Sequence, residues 1–199
     1  MAEITIDLIK RLRELTGVGI TDAKMALVET DGDFDKALEA MRKKGQTKAE
    51  KRGEREARSG VIGSYVHDNR IGVLVEVNCE TDFVARNEKF TDLVKDVCLH
   101  VAASAPLYVS VEDVPAKERE ALAKEFKDKV VAEGKPADKA DMIVEGMLKK
   151  HFAERCLLDQ PFIKNPDQTV DQYVKEGIAI LGENIVVRRF SRLMLGEVN

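Results

Sequence analysis

The stretch that decides the fold reads IGVLVEVNCETDFVARNEKFTDLVKDVCLHV, residues 71–101, because it joins a strand pattern to a helix pattern through a polar turn. Aliphatic residues alternate with other types at its start, which predicts a half-buried strand. These aliphatic residues are Ile71, Val73, Val75 and Val77. Behind Asn87, a good N-cap, apolar residues recur at the spacing of a helix. They are Phe90, Leu93, Val94, Val97 and Val101. Asp82 and Phe83 therefore lie in a connection between a strand and a helix.

Neither pattern requires Phe83, and two interpretations of it are open. Connections between packed elements run over the surface and often carry function, so an apolar ring beside the Asp82 carboxylate could be directed at a partner. Alternatively, the ring packs back onto the sheet, because most Phe side chains are buried. Position in the chain, taken alone, favours the packed ring.

The first 45 residues predict three short helices in a compact bundle like ubiquitin-associated domains. Thr5 and Thr21 are the predicted N-caps of the first two helices. The third is predicted from Phe34 to Lys44, and Gly45 is its predicted terminator. Four apolar residues are expected to form the buried stripe of the first helix. They are Leu8, Ile9, Leu12 and Leu15.

Residues 46–59 are predicted to form a basic linker between this bundle and a core domain, residues 60–199. From Arg42 to Arg58 there are eight Lys or Arg residues against three Glu, which is typical of a solvated, partly helical connector. An RNA-binding surface that follows phosphates is the alternative interpretation. The stretch contains no aromatic side chain on which a base could stack.

The core domain is predicted to be α+β, with a small antiparallel sheet covered by helices. It opens with a hairpin, Val61–His67 and Ile71–Asn78, turned by residues 68–70. Thr169 and Gln172 form a capping box for the last helix. Helices are expected at residues 87–101, 116–133, 139–152 and 169–182, and a final strand at 185–195.

The final strand carries apolar residues on both faces. Strict alternation places Val186, Phe190 and Met194 on one face, and Ile185 and Val187 on the other. A strand that is apolar on both sides is usually covered on both sides, which predicts a two-fold homodimer. Alternatively, helices cover one face and the arginines of the strand keep the other face solvated.

Composition limits the functional classes. The chain has 199 residues, a net charge of -4 and 44% hydrophobic residues, so it has no general attraction for nucleic acid or anionic membranes. No apolar stretch approaches the roughly 18 residues of a membrane span, and the start lacks the pattern of a signal peptide. We expect a cytoplasmic protein that binds neither membrane nor nucleic acid directly. Three cysteines are too few for a disulfide framework. Cys79, Cys98 and Cys156 are expected to be core thiols, although an odd number leaves open a disulfide between chains.

The sequence contains no recognisable constellation for catalysis. His67, His100 and His151 have no metal-ligand spacing with each other or with the cysteines. A phosphate-binding loop of the type GxxxxGK[ST] is absent, so the chain is not expected to bind nucleotide itself. We therefore expect no catalytic residues, no metal, no cofactor and no enzymatic activity.

Segments in three regions of the chain, in the same order, resemble the bacterial elongation factor Ts family. They read LTGVGITDAKMAL at 15–27, VEVNCETDFV at 75–84, and CLLDQPF at 156–162 followed by GENIVVRRF at 182–190. Three separated motifs are far more specific than the four residues Thr81–Val84 alone. The chain is short for the family, whose longer members carry a second core subdomain, and this again points to a homodimer.

The resemblance implies a guanine nucleotide exchange factor for elongation factor Tu, which it would bind both with GDP and without nucleotide. In the family, the residues corresponding to Asp82 and Phe83 enter the GTPase domain, with the aromatic ring as an apolar wedge, and those corresponding to Thr81 and Val84 hold the turn. A second contact of that domain would involve Arg13, Gly17, Val18, Gly19 and Ile20. Family members often have Met where Ile20 or Thr21 stands. A peptide-binding or chaperone-like adaptor that uses the helical bundle is the alternative function.

Overall fold

The computed structural model describes residues 4–133 and 137–197, with the backbone alone at 46–48 and 137–139. Its helices are α1 (Ile6–Thr16), α2 (Ile20–Glu29), α3 (Phe34–Arg52), α4 (Asp82–Ala85), α5 (Glu88–Ser104), α6 (Ala116–Ala132), α7 (Ala137–Ala153) and α8 (Val170–Leu181). Its strands are β1 (Ser59–His67), β2 (Ile71–Cys79), β3 (Pro161–Phe162), β4 (Asn165–Thr169) and β5 (Ile185–Met194). The α+β fold is confirmed, with a bundle of helices first and a sheet with covering helices after it.

Helices α1 to α3 form the bundle predicted for the N-terminal region. Thr5 caps α1 as predicted, because its hydroxyl accepts a hydrogen bond from the Leu8 N–H at 3.3 Å. Leu12 and Leu27 are fully buried at its centre. The prediction that Leu15 is buried in the bundle is wrong. Thr16 takes the inward position on α1, and Leu15 lies at the junction between the bundle and α8.

Two predicted helix boundaries in the bundle are wrong. Thr21 does not cap α2, which begins one residue earlier at Ile20 with Gly19 as its N-cap. Gly45 does not end α3, which continues to Arg52. A β-carbon at Gly45 would lie 3.3 Å from the Ala179 side chain of α8. Packing against α8 therefore outweighs the weak helix propensity of glycine, and the first half of the predicted linker is helical.

The main sheet has the strand order β1–β2–β5 and is antiparallel throughout. Asp68 and Asn69 turn the predicted hairpin in the left-handed conformation that such turns require. Helices α5 and α8 pack over one face of the sheet. Residues from both helices and from β2 form the main hydrophobic core, including Val75, Val77, Phe90, Val97, Val101 and Val174. The alternation read from residues 71–101 is thus confirmed.

The face assignment predicted for the final strand is wrong beyond Val187. The register shifts by one residue opposite Glu76 and Val77, so Val187 pairs with Val77 while Phe190 pairs with Val75. A bulge of this kind inserts one residue and reverses the alternation that follows it. Phe190 consequently joins Val187 on the helix-covered face, and Leu193 lies on the solvent face.

The region after α5 contains a helical hairpin and a smaller sheet. Helices α6 and α7 pack on each other through their own small apolar clusters. The two-stranded sheet of β3 and β4 was not predicted, because its strands are short and carry two prolines. The capping box of Thr169 and Gln172 at the start of α8 is confirmed.

The three cysteines are buried core thiols, as predicted. Burial raises the pKa of the Cys98 and Cys156 thiols to about 11, which leaves them protonated and unreactive at neutral pH. No helix among the described residues combines the length and apolar character needed to cross a membrane.

Candidate partner-binding site

The turn between β2 and α5 presents Phe83 to solvent. It contains the single-turn helix α4, whose N-cap Thr81 accepts a hydrogen bond from the Val84 N–H at 3.4 Å. Ala85 is buried and Val84 is half-buried against the core, so the other two residues of α4 point outward. Phe83 is 88% exposed. The interpretation that its ring packs on the sheet is therefore wrong.

The turn is held in place by a carboxylate from the far end of the chain. Glu183 accepts the Thr81 hydroxyl at 2.7 Å with one oxygen and the Thr81 N–H at 3.0 Å with the other. The Cys79 thiol donates to the Thr81 carbonyl at 3.2 Å. Sequence reasoning missed Glu183 because it lies 102 residues from Thr81. The only signal was that residues 182–190 resemble a family segment.

The residues predicted in the N-terminal domain lie around the loop between α1 and α2. Gly17 ends α1 in the left-handed conformation, and its N–H donates to the Arg13 carbonyl at 2.8 Å. Val18 is half-buried against the bundle core. Arg13 and Ile20 have exposed side chains, the latter residue with 60% of its surface accessible. Ile20 and Arg13 are thus available for contact, whereas Val18 and Gly17 shape the loop.

Both groups of predicted residues border the C-terminal end of α8. A β-carbon on Gly17 would lie 2.7 Å from the Ile180 Cα, so the loop of the bundle packs directly on the last turn of this helix. Three residues later, Glu183 holds Thr81. The fold therefore brings both predicted contact regions to the same end of one helix, although they are more than 60 residues apart in sequence.

Arginines in and near the predicted linker already have partners within the protein. Arg42 pairs with Glu176 at 2.9 Å across the junction of bundle and core. Arg52 donates to the Ile178 carbonyl at 3.0 Å. Arg58 pairs with Glu56 at 2.7 Å. Two of these contacts, those of Arg42 and Arg52, join the bundle to α8.

The side chains that the structure describes bring together no group of three or more His, Cys, Asp or Glu residues that could hold a metal ion. His100 is instead part of the core, with its Nε2 2.9 Å from the Gln160 side-chain oxygen. Its other ring nitrogen accepts the Ile163 N–H at 3.2 Å. The two bonds define the neutral tautomer that carries its proton on Nε2.

Comparison with known proteins agrees with the resemblance seen in the sequence. The family model described as Elongation factor TS matches residues 21–197. The chain is 48% identical over 195 residues to "Elongation factor Ts" of Geobacter sulfurreducens, covering 98% of this chain and 90% of that protein. It is 49% identical over 195 residues to the protein of the same name from Acetivibrio thermocellus, with 98% and 91% covered. The corresponding protein of Thermodesulfovibrio yellowstonii is 47% identical over 194 residues, with 98% and 97% covered.

Proposed function

Because the chain belongs to the elongation factor Ts family, we propose that it binds elongation factor Tu and releases GDP by inserting Asp82 and Phe83 into the GTPase domain. The observation that carries this proposal is the 88% exposure of the Phe83 ring on a turn held by Glu183. An exposed aromatic ring beside a carboxylate on a fixed surface connection is suited to contact with a partner, because binding residues are concentrated in such connections. Release of a nucleotide by binding requires no bond-making chemistry.

The proposed mechanism is displacement of the groups that hold the nucleotide. In GTPases, backbone N–H groups of a phosphate-binding loop cradle the phosphates, and Mg²⁺ bridges phosphate and protein oxygens. Phe83 would act as an apolar wedge between helices of that domain, with the Asp82 carboxylate beside it forming a hydrogen bond or repelling a carboxylate. Movement of those helices lengthens the Mg²⁺ and phosphate contacts. GDP then leaves, and GTP can enter the empty site.

The binding free energies require a second contact besides the wedge. To weaken the binding of the nucleotide about 10⁴-fold, the exchange factor must prefer one form of the GTPase over the other by roughly 5.5 kcal/mol. Burying one Phe side chain contributes about 1.5 to 3 kcal/mol. The exposed Arg13 and Ile20 at the loop of the bundle would supply the second contact, on another helix of the GTPase domain. Because the bundle packs on α8, the two contacts are held at a fixed separation.

The solvent face of the sheet supports the proposed homodimer. Four aliphatic side chains on it are between 53% and 68% exposed: Ile62, Val66, Leu74 and Leu193. Glu76 and Arg189 pair at 2.7 Å on the same face. A second copy related by a two-fold axis would present the same apolar residues and the same mixed charges in return. A stable interface of this type would bury on the order of 1,200 Å² or more in total.

Release of labelled GDP from purified elongation factor Tu tests the function. The protein, added in substoichiometric amount, should accelerate release of all the bound GDP, because each molecule of an exchange factor acts repeatedly. A peptide-binding or chaperone-like adaptor would leave the rate of release unchanged. Acceleration that requires stoichiometric amounts would also contradict the proposal.

A further inference from the structure

We propose that Glu183 is a positioning residue for nucleotide exchange, which fixes the direction of Phe83 by holding Thr81. This inference rests on the proposed function and assigns a role to a residue outside the predicted site. Helix α4 has only four residues, far fewer than a helix needs to be stable by itself. The direction of Phe83 must therefore be set by contacts of the turn with its surroundings. Val84 and Ala85 supply some of them by packing on the core, and the others act at the N-terminal end of the turn.

Glu183 supplies such a contact at the N-terminal end of α4. Both of its oxygens bind the same residue, at 2.7 Å from the Thr81 hydroxyl and 3.0 Å from the Thr81 backbone nitrogen. Hydrogen bonds to an ionised carboxylate are about twice as strong as neutral ones, and two bonds to one residue restrict rotation as well as distance. Thr81 is also the N-cap of α4, so Glu183 holds the residue at which the turn begins.

The residue next to Glu183 attaches the turn to the chain that leaves the bundle. The Asn184 N–H donates to the Glu80 carboxylate at 2.6 Å. The Asn184 side chain is buried and donates to the Gly53 carbonyl at 3.3 Å and to the Arg55 carbonyl at 2.7 Å. Gly53 follows α3, a helix of the bundle. The end of α8, the Phe83 turn and the end of α3 are thus joined at one place.

Loss of this connection should affect the rate of exchange more than binding. A misplacement of about 1 Å can cost a hundredfold in a reaction that depends on alignment. Without Glu183, the Phe83 ring remains present but is free to sample other directions, while the exposed residues of the bundle are unaltered. The maximal rate of GDP release at saturating protein should therefore fall, and the half-saturating concentration should stay the same.

The absence of tryptophan from the chain allows the direction of the side chain at position 83 to be measured directly. In a Phe83→Trp background, the fluorescence anisotropy decay of the single tryptophan reports its local motion. Glu183→Ala should enlarge the fast component of this decay. Glu183→Gln, which retains an acceptor for the N–H and a donor for the hydroxyl, should restore the slow decay. Glu120→Ala, which removes an exposed carboxylate from α6, is the matched control and should change nothing.

Exchange is then measured with Phe83 present. Glu183→Ala should lower the maximal rate by about tenfold or more with an unchanged half-saturating concentration. Thr81→Val, which removes the hydroxyl and leaves Glu183 in place, should lower the same maximal rate, and Thr81→Ser should restore it. Circular dichroism verifies that each variant is folded. If Glu183→Ala is unfolded, Thr81→Val and Thr81→Ser decide whether the contact between Glu183 and Thr81 is needed for exchange.

Two results would overturn the inference. One is an anisotropy decay of the introduced tryptophan that Glu183→Ala leaves unchanged. The other is an exchange defect that appears only as a raised half-saturating concentration. If Phe83→Ala exchanges as fast as the unaltered protein, the proposed wedge fails instead, and the anisotropy result still decides whether Glu183 positions the turn.

Discussion

Gly17 lies against Ile180, so close that a β-carbon on Gly17 would be 2.7 Å from the Ile180 Cα. Gly17 also has a φ of +66°, a conformation that L side chains rarely adopt. We predict that Gly17→Ala lowers the free energy of unfolding by about 2 to 5 kcal/mol, the sum of left-handed strain and overpacking. Urea unfolding followed by circular dichroism measures this change.

Gly182 provides the matched control for Gly17. It has a φ of +82°, but a β-carbon there would have no neighbour within 4 Å. Gly182→Ala should therefore carry the backbone strain alone, about 1 to 2 kcal/mol. Equal losses of stability in the two variants would show that the bundle does not pack closely on α8.

The stability of the core should depend on pH through His100. Burial lowers the pKa of this imidazole, and its Nδ1 already accepts the Ile163 N–H. In the unfolded chain, His titrates near pH 6.5. Below that pH the unfolded state binds a proton that the folded state does not. The free energy of unfolding therefore decreases as the pH is lowered, by up to about 1.4 kcal/mol per pH unit.

Urea unfolding between about pH 7.5 and pH 5.5 measures this dependence, above the range where carboxylates with ordinary pKa values titrate. His100→Gln should reduce the slope of the unfolding free energy against pH. Burial also lowers the pKa of His151, so part of the slope should remain. An undiminished slope in His100→Gln would contradict this account of the core.

If the proposed homodimer forms, a charged residue on the solvent face of the sheet should lower the mass of the protein in solution. Leu74 is 53% exposed at the centre of that face, between Ser64 and Ser191 on the neighbouring strands. Leu74→Asp should convert a dimer to a monomer of 22.2 kDa in light scattering, because an unpaired carboxylate would be buried in the interface. Leu107→Asp, at a residue 62% exposed outside the sheet, should stay dimeric. A mass near that of the monomer for the unaltered protein at all micromolar concentrations would refute the dimer.

The division into a bundle of residues 1–45 and a core remains a prediction, and removal of the bundle tests it. Ala49 is buried in the main core although it belongs to α3, so a fragment that begins at Gln46 retains this packing. The fragment should fold and should require a higher concentration for half-maximal exchange, because one of its two contacts is missing. Exchange by the fragment at the concentration needed by the whole protein would contradict the two-contact model.

Local patterns predicted the elements that local chemistry determines. The cap at Thr5, the capping box of Thr169 and Gln172, and the alternation in β2 depend on residues close together in sequence, and each is confirmed. Two of the errors arise where distant contacts decide. Helix α3 passes through Gly45 because α8 lies against it, and the bulge opposite Glu76 reverses the faces of β5.

In the candidate site, too, local sequence predicts some features and distant contacts determine the others. The sequence places Asp82 and Phe83 in a connection, but packing of Val84 and Ala85 against the core decides that the Phe83 ring points to solvent. The contact between Thr81 and Glu183 joins residues 102 apart, and no spacing in the sequence predicts such a pair.

The most direct test of the account is GDP release from elongation factor Tu by the Phe83→Ala variant, with urea unfolding of the same variant. The ring is 88% exposed, so the account predicts a loss of exchange of about tenfold or more with nearly unchanged stability. Asp82→Ala should also slow exchange, whereas Leu107→Ala, at another exposed apolar residue, should not. Undiminished exchange by Phe83→Ala, or a loss of stability of about 3 to 5 kcal/mol as in core Phe truncations, would contradict the account.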